Sequence, residues 1–274
     1  MSPDVFFNLF IEELKNLPEL QDYYKFLTSN KKFGFRKNYF LQRLKYIDGT
    51  FNRYVETHNK KPVIWDCGCG FGTTAFFLAM NGLASYGSTL EYYFPLIEKR
   101  RSYWNQFGNS NLFCADYEDI YENKLQKNSV DIIIVQDTLH HLEPIDKALE
   151  ILWTTLKPGG MLIVIEENGG NIIQRAKLYK QRGGIRIIKT FDEKLQREVI
   201  MGNENIRPFD KWKRLLKTAS FEPDEKSVQY IRYYLPFMYN KNNAEQLAGK
   251  EQRINNPFLR KYFFFGINFI AHKR

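Results

Sequence analysis

The feature that most constrains this chain is a short apolar strand that runs into a glycine-rich turn and then into a helix. The turn follows Trp65 and holds Gly68, Gly70 and Gly72 within the stretch Asp-Cys-Gly-Cys-Gly-Phe-Gly. Glycines permit a tight turn and let a ligand approach bare backbone at the positive end of the next helix. Because the acid, the glycines, the strand and the helix occur together, the stretch predicts a ligand-binding loop.

The residues beside these glycines argue against a bound dinucleotide. A dinucleotide-binding loop has its third glycine at the position of Thr73, whereas here Gly72 comes one residue early. Asp66 lies two residues before the first glycine, and its carboxylate suits a cationic or amino-bearing ligand better than a pyrophosphate. An NAD(P)-dependent dehydrogenase is therefore the least favoured enzyme class.

Strands and helices alternate after the glycine turn, which predicts an α/β fold with a doubly wound, mostly parallel sheet. The run at 130–136 is almost continuously β-branched, as a strand buried on both faces of such a sheet requires. The predicted strands lie at 62–66, 85–90, 112–115, 130–136, 161–165, 228–234 and 262–271. The predicted helices lie at 73–80, 95–107, 148–156 and 209–219.

The rest of the chain divides into an N-terminal extension and two insertions. Apolar residues at helical spacing predict several helices over residues 1–61, before a Rossmann-like domain over residues 62–274. Two stretches, at about 169–206 and 236–257, fit the alternation poorly. We predict that both are lid-like insertions at the edge of the ligand cleft, since long connections usually have a functional reason.

The glycine loop and the acids after the next strands resemble the class I S-adenosylmethionine-dependent methyltransferases, from about residue 63 to 165 and more loosely to the C-terminus. The resemblance implies a seven-stranded sheet whose last strand is antiparallel, with S-adenosyl-L-methionine as cofactor and S-adenosyl-L-homocysteine as product. In that family one acid holds the ribose hydroxyls, here Glu91, and another accepts from the adenine amine, here Asp116. The cofactor-binding positions that it implies are Asp66, Cys67, Gly68, Cys69, Gly70, Gly72, Glu91, Asp116, Tyr117, Gln136 and Asp137.

The residues after the 130–136 strand favour a small-molecule acceptor. Nucleic-acid adenine-amine methyltransferases carry an Asn/Asp-Pro-Pro-aromatic turn there, and cytosine C5 enzymes carry a cysteine. This chain has Gln-Asp-Thr-Leu-His-His at 136–141 instead. It resembles the small-molecule branch, which includes quinone-ring and lipid methyltransferases, and the expected reaction is in-line displacement onto a lipidic, aromatic or anionic acceptor.

Three polar residues at the cleft end of the sheet are the candidates for catalysis: His140, His141 and Glu166. Alignment of the nucleophile with an already activated methyl can contribute roughly 7–11 kcal/mol. A hydroxyl acceptor also needs a base, and histidine is best matched to neutral pH. Either histidine can instead pack or cap the helix that follows, and Glu166 can instead be a solvated loop acid, so both interpretations stay open.

The first insertion is rich in basic residues, and the whole chain carries a net charge of +9. We predict that Arg182 and Arg186 belong to a lid that contacts an anionic substrate or an acidic membrane surface. The alternative is a solvated helix face, which explains most charge runs. The net charge also keeps an RNA- or tRNA-modifying methyltransferase as an alternative, and a non-catalytic cofactor-binding protein is a third.

The three cysteines are too few and too local for a disulfide framework. A zinc site made from Cys67, Cys69, Cys114 and the histidine pair is disfavoured, because the side chains of Cys-x-Cys in a tight turn point apart, so we predict no bound metal. No apolar run approaches the roughly 18 residues of a membrane span, and acids stand where a signal peptide has a basic leader. A cytoplasmic location is the expectation, and the sequence carries no signal for the oligomeric state.

Overall fold

The computed structural model describes residues 1–28, 30–91, 93–240 and 243–274, with the side chains of residues 30 and 31 also outside the description. The helices of the described residues are α1 (Pro3–Asn16), α2 (Pro18–Tyr24), α3 (Asn30–His58), α4 (Thr73–Met80), α5 (Leu96–Trp104), α6 (Ile145–Thr155), α7 (Ile172–Arg182), α8 (Phe209–Thr218), α9 (Ala244–Gln252) and α10 (Pro257–Phe263). The strands are β1 (Ile64–Cys67), β2 (Ser85–Thr89), β3 (Phe113–Tyr117), β4 (Val130–Gln136), β5 (Leu156–Glu167), β6 (Ile187–Asp192), β7 (Arg197–Gly202), β8 (Phe221–Ile231) and β9 (Gly266–Lys273).

Seven of these strands form one sheet in the order β3-β2-β1-β4-β5-β9-β8, and β6 and β7 form a separate antiparallel pair. β1 pairs with β2, β2 with β3 and β4 with β5 in parallel, whereas β9 runs antiparallel to β5. The predicted α/β class, with a doubly wound, mostly parallel seven-stranded sheet and an antiparallel last strand, is confirmed. β4 has the predicted bounds and is buried over its first six residues, as its β-branched sequence requires.

The chain groups into two compact units. The first comprises Met1–Glu118 and Ile231–Ile254, and the second comprises Asp119–Tyr230 and Asn255–Arg274. Most of the second predicted insertion is thus grouped with the N-terminal helices. The domain boundary at residue 62 stays a prediction. Among the described residues, no helix combines the length and the apolar character that crossing a membrane demands.

Aromatic side chains build the core of the first unit. On α1, Phe6 stacks on Trp104 with ring centroids 4.4 Å apart, and Phe10 stacks on Phe40 of α3 at 5.2 Å. Each of these stacks adds roughly 0.5–1.5 kcal/mol to the burial of the rings. The predicted N-terminal helices therefore have a structural role, since they pack on α3 and α5 through rings that the sequence spaces along one face.

Three strands of the second unit depart from the predicted boundaries. β8 spans Phe221–Ile231 rather than 228–234, so it begins seven residues early. β5 begins at Leu156 rather than at residue 161, because Leu156 pairs with Val130 before a register shift that takes in the Lys-Pro-Gly-Gly segment. The last strand begins at Gly266 rather than at residue 262. The residues before it form α10, whose first turn is capped by the Asn256 side chain, with proline at the first helical position.

Candidate functional site

The glycine loop of the first unit is fixed by backbone hydrogen bonds. The amides of Gly68 and Cys69 donate to the Ser88 carbonyl of β2 at 2.8 and 3.0 Å, and the Gly72 amide donates to the Cys69 carbonyl at 2.8 Å. Gly68, Gly70 and Gly72 all have positive φ, at 82°, 54° and 72°. This conformation is strained for residues with a Cβ, so the predicted need for glycine at these positions has a backbone cause.

The space around the loop also requires small residues. A Cβ on Gly72 would collide with the Phe113 ring, and a Cβ on Gly87 of β2 would lie 2.7 Å from the Cys69 sulfur. The Cys69 thiol thus points onto the neighbouring strand. Burial, together with Asp66 and Cys67 beside it, raises the pKa of this thiol well above its usual value. The Cys69 side chain thus packs against β2. Its thiol is neutral, and a neutral thiol is a poor metal ligand.

A buried ion pair holds the loop against the N-terminal helix. Arg100 on α5 and Glu13 on α1 are 0% and 1% exposed, and the guanidinium donates to both carboxylate oxygens at 2.8 and 2.7 Å. The same guanidinium donates to the Phe71 carbonyl at 2.6 Å and to the Thr73 hydroxyl at 2.8 Å. Sequence analysis missed this pair, because its two members lie 87 positions apart.

Three predicted cofactor acids lie at or near the ends of three adjacent strands of the first unit. Asp66, one residue before the end of β1, is 2% exposed, whereas Glu91, just after β2, and Asp116, one residue before the end of β3, are exposed. The register aligns Cys67 with Ser88 and Ser88 with Asp116, so the acids lie toward the same edge of the sheet. Burial raises the pKa of the Asp66 carboxyl to about 7.

Aromatic rings lie beside the loop. Phe71 stacks on Tyr93 with ring centroids 3.7 Å apart, and Tyr23 of α2 meets both rings edge-on. Tyr117, one of the predicted cofactor-binding residues, donates to the Leu90 carbonyl at 3.0 Å. The three carboxylates are hydrogen-bond acceptors, and a nucleoside with hydroxyls, an exocyclic amine and an amino-acid portion has donors that suit such acceptors. A Cβ at Gly70 would meet only Tyr93, at 3.6 Å.

In the second unit, the chain turns sharply after β4. Asp137 has a positive φ of 50°, and its amide donates to the Ile165 carbonyl of β5 at 2.8 Å. The Thr138 amide donates to Glu166 at 3.1 Å, and the Thr138 hydroxyl donates to the Gln136 carbonyl at 2.9 Å. The turn therefore places Gln136, Asp137 and the two histidines at the carboxyl end of the sheet, beside the end of β5.

Two of the three predicted catalytic residues are in direct contact. The His140 Nδ1 lies 2.5 Å from a Glu166 carboxylate oxygen, with the two side chains 4% and 0% exposed. Burial lowers the pKa of His140, but the charge of Glu166 and the hydrogen bond to it outweigh burial and, with Asp137 and Glu204, raise the pKa to about 9. Glu166 is thus a buried partner of the imidazole rather than a solvated loop acid.

The third predicted catalytic residue, His141, faces a residue that sequence analysis did not select. Its Nδ1 lies 3.0 Å from the Gly202 carbonyl, and its Nε2 lies 3.9 Å from Glu204. The His140 Nε2 lies 3.7 Å from the other Glu204 oxygen. Glu204 comes from the segment after β7, and no local pattern links it to the histidines.

A cavity of about 910 Å³ in the second unit is lined by the two predicted substrate residues, Arg182 and Arg186. Arg182 ends α7, where its guanidinium donates to the Ile185 carbonyl and to Asn205. Four further basic residues line the cavity and were not predicted as substrate contacts: Arg175, Arg207, Lys211 and Lys261.

Comparison with known proteins identifies the same fold and domain. Residues 65–164 match the family model described as a methyltransferase domain. No curated protein matches the chain. An S-adenosylmethionine-dependent methyltransferase of Methanosarcina mazei is 19% identical, with a TM-score of 0.54 over 78% of this chain and 92% of that one. A counterpart from Archaeoglobus fulgidus is 13% identical, with a TM-score of 0.51 over 84% and 94%.

The [4+2]-cyclase SpnF is also similar, at 16% identity and a TM-score of 0.53 over 82% of this chain and 80% of that one. At such identities the likenesses establish the fold alone, and the family match carries the assignment. The predicted cofactor, S-adenosylmethionine, is confirmed. Together with the seven-stranded sheet, the match identifies residues 65–164 as a methyltransferase domain and gives the chain the fold of the class I S-adenosylmethionine-dependent methyltransferases.

Proposed function

We propose that this methyltransferase acts on an anionic small molecule that is held by the basic cavity of the second unit. The observation that carries the proposal is the charge of that cavity: six Lys or Arg side chains line it against one carboxylate, Glu143. That carboxylate is already paired, since Arg207 donates to it at 2.6 Å. The lining therefore has an excess of positive charge, which raises the local concentration of anions.

The lining also supports an acceptor with an apolar part. Ile172, Leu178, Ile206, Tyr179 and Tyr262 share the cavity with the bases. Its volume lies within the range of roughly 300–1,000 Å³ that small-molecule sites have. A carboxylate or phosphate attached to an aromatic or aliphatic body would use both kinds of lining, so we favour such an amphipathic anion over a neutral acceptor.

The first unit supplies the cofactor-binding side chains in this proposal. Bound S-adenosylmethionine supplies a methyl group that its sulfonium already activates. The glycine loop seats the nucleoside against backbone, Asp66 accepts from a cationic group, Glu91 accepts from the ribose hydroxyls, and Asp116 accepts from the adenine amine. The remaining assigned cofactor positions are Cys67, Gly68, Cys69, Gly70, Gly72, Tyr117, Gln136 and Asp137. The direct catalytic role of His140, His141 and Glu166 stays a prediction.

Charge reversal within the basic cavity tests the proposed acceptor class. The double variant Arg182→Glu/Arg186→Glu is compared with Lys177→Glu/Lys180→Glu, which makes the same charge change on exposed positions of α7 outside the cavity lining. The assay measures S-adenosylhomocysteine formation with aromatic and isoprenoid carboxylates and phosphates, each paired with its neutral ester or alcohol. We expect turnover of the anions and a KM at least tenfold higher in the cavity variant only.

Three results would contradict the proposal. If only the neutral esters and alcohols were methylated, an anionic acceptor would be excluded. If both double variants changed KM equally, the change would come from the overall charge of the protein rather than from the cavity. Steeply salt-dependent methylation of RNA would favour the nucleic-acid alternative. The predicted cytoplasmic location belongs to this proposal as well, since soluble anionic metabolites are its expected acceptors.

A further inference from the structure

We propose that His140, His141 and Glu204 form a binding site for one divalent transition-metal ion, with Zn²⁺ as the test ion. One ligand atom from each of the three side chains lies within 4.8 Å of the other two. Tetrahedral ligands about 2.1 Å from a zinc ion are about 3.4 Å apart. One Glu204 oxygen lies 3.7 Å from the His140 Nε2 and the other lies 3.9 Å from the His141 Nε2, so each separation would close by up to about half an ångström to reach that spacing.

Hydrogen bonds at the far side of each imidazole favour metal binding. The His140 Nδ1 contacts the Glu166 carboxylate at 2.5 Å, and the His141 Nδ1 contacts the Gly202 carbonyl at 3.0 Å. When each imidazole is neutral with Nδ1 as the donor, Nε2 carries the lone pair, and both Nε2 atoms face Glu204. An ion that binds there therefore displaces the Nε2 proton of a protonated His140. Histidines that bind metals usually make this kind of second contact, to a carboxylate or a backbone carbonyl, which fixes the ring and its tautomer.

The fold, rather than chance proximity, brings Glu204 to the histidines. The Gly202 amide donates to the His141 carbonyl at 2.8 Å, and the Asn205 amide donates to the His140 carbonyl at 3.0 Å. Leu142 and Met201 form an antiparallel bridge beside them. A Cβ on Gly202 would collide with the His140 carbonyl, so a glycine is needed for this close approach. Two backbone contacts thus flank Glu204 and hold it opposite the imidazoles.

The exposed fractions of the three side chains indicate a metal site that is open to water on one side. The His140 side chain is 4% exposed, whereas His141 and Glu204 are 34% and 44% exposed. An ion held there would have three protein ligands and one side open to water, as in the zinc sites that keep an open position. Two imidazoles and one carboxylate suit Zn²⁺ and similar ions better than Mg²⁺ or Ca²⁺, which prefer oxygen ligands alone.

This site differs from the zinc site that the sequence analysis rejected. That set required the cysteines, and Cys67 and Cys69 are buried in the first unit. The proposed ligands all belong to the second unit and lie outside the lining of the basic cavity. The proposal does not depend on the acceptor class, so it can fail while the proposed function stands.

Zn²⁺ titration of the full chain tests the proposal. Protein without a polyhistidine tag is treated with a chelator, dialysed and titrated with ZnCl₂ by calorimetry, and Co²⁺ binding is followed by visible absorption. We expect one ion per chain. Glu204→Gln and His141→Gln should each weaken binding at least tenfold, and Glu166→Gln, which changes the contact behind the His140 ring but none of the three ligands, should weaken it roughly 10–100-fold.

Matched variants control for general effects. Glu198→Gln changes an exposed carboxylate of β7 that pairs with Lys189, and His58→Gln removes an exposed histidine from α3. Both should bind Zn²⁺ within twofold of the unmodified protein. Circular dichroism without metal should be the same for all variants.

Absence of binding to the unmodified protein would overturn the proposal, because the cluster would then be a set of ion pairs. Equal binding by Glu204→Gln would also overturn it.

Discussion

The glycine loop of the first unit and the histidine cluster of the second unit are built in opposite ways. The loop is a continuous stretch whose backbone amides donate to the next strand, at Ser88, and within the loop, at Cys69. The cluster joins His140 and His141 to Glu204, and the Gly202 carbonyl that holds His141 lies 61 positions away from it. Local chemistry defines the first site, whereas tertiary structure assembles the second.

The two regions also differ in what stabilises them. A buried ion pair and close packing against Phe113 fix the glycine loop. Glu204, by contrast, is nearly half exposed and approaches the imidazoles only to 3.7 and 3.9 Å. The glycine loop is therefore held by buried contacts, whereas the histidine cluster has an exposed member. Variants in the first unit test this difference.

The largest expected effect is the loss of the Arg100–Glu13 pair. Arg100→Met leaves the Glu13 carboxylate buried without its partner, and we expect the free energy of unfolding to fall by about 3–5 kcal/mol. Urea denaturation measures it. Lys99→Met is the control, because Lys99 and its partner Glu19 are 61% and 55% exposed and 3.6 Å apart, and such pairs contribute at most about 1 kcal/mol. If the two variants lowered the free energy of unfolding equally, the burial of the Arg100–Glu13 pair would not explain the loss.

A smaller loss is expected from a methyl group in the loop. Gly72→Ala places a Cβ at positive φ and against the Phe113 ring, and we expect the free energy of unfolding to fall by about 1–3 kcal/mol. Gly49→Ala in α3, where the added Cβ has no neighbour within 4 Å, should instead stabilise the protein by about 0.5–1 kcal/mol. Thermal denaturation should give a lower midpoint temperature for Gly72→Ala and a higher one for Gly49→Ala than for the unmodified protein. An unchanged midpoint for Gly72→Ala would mean that the loop is adaptable rather than rigid.

The smallest expected effect concerns the protonation of Asp66. Burial raises the pKa of this carboxyl to about 7, so at pH 6 most of the protein must lose a proton before the carboxylate can accept from a cationic group of the cofactor. Affinity for S-adenosylhomocysteine should therefore rise about tenfold, or about 1.4 kcal/mol, between pH 6 and 8 and level off above. Asp66→Asn should remove this dependence. An affinity of the unmodified protein that is independent of pH would contradict the assigned contact.

The glycine loop could be predicted from the sequence and the histidine cluster could not, because one is a continuous stretch and the other joins distant segments. The loop and β4 were predictable, because glycine spacing and β-branched runs are local signals. The antiparallel direction of the last strand came from the resemblance to the methyltransferases. The Glu13–Arg100 pair and the position of Glu204 were not, since partners far apart in the chain leave no periodic pattern. Arg182 and Arg186 were selected from their charge run, but only the fold adds Arg207 and Lys261 to the same cavity.

The most direct test of the central claim is calorimetric titration of the purified protein with S-adenosylhomocysteine and, separately, with NADH. The account predicts one S-adenosylhomocysteine per chain and no heat from NADH, because the loop carries a buried acid before its first glycine and lacks a glycine at Thr73. Binding of NADH at the loop, or no binding of S-adenosylhomocysteine at any pH between 6 and 8, would contradict it.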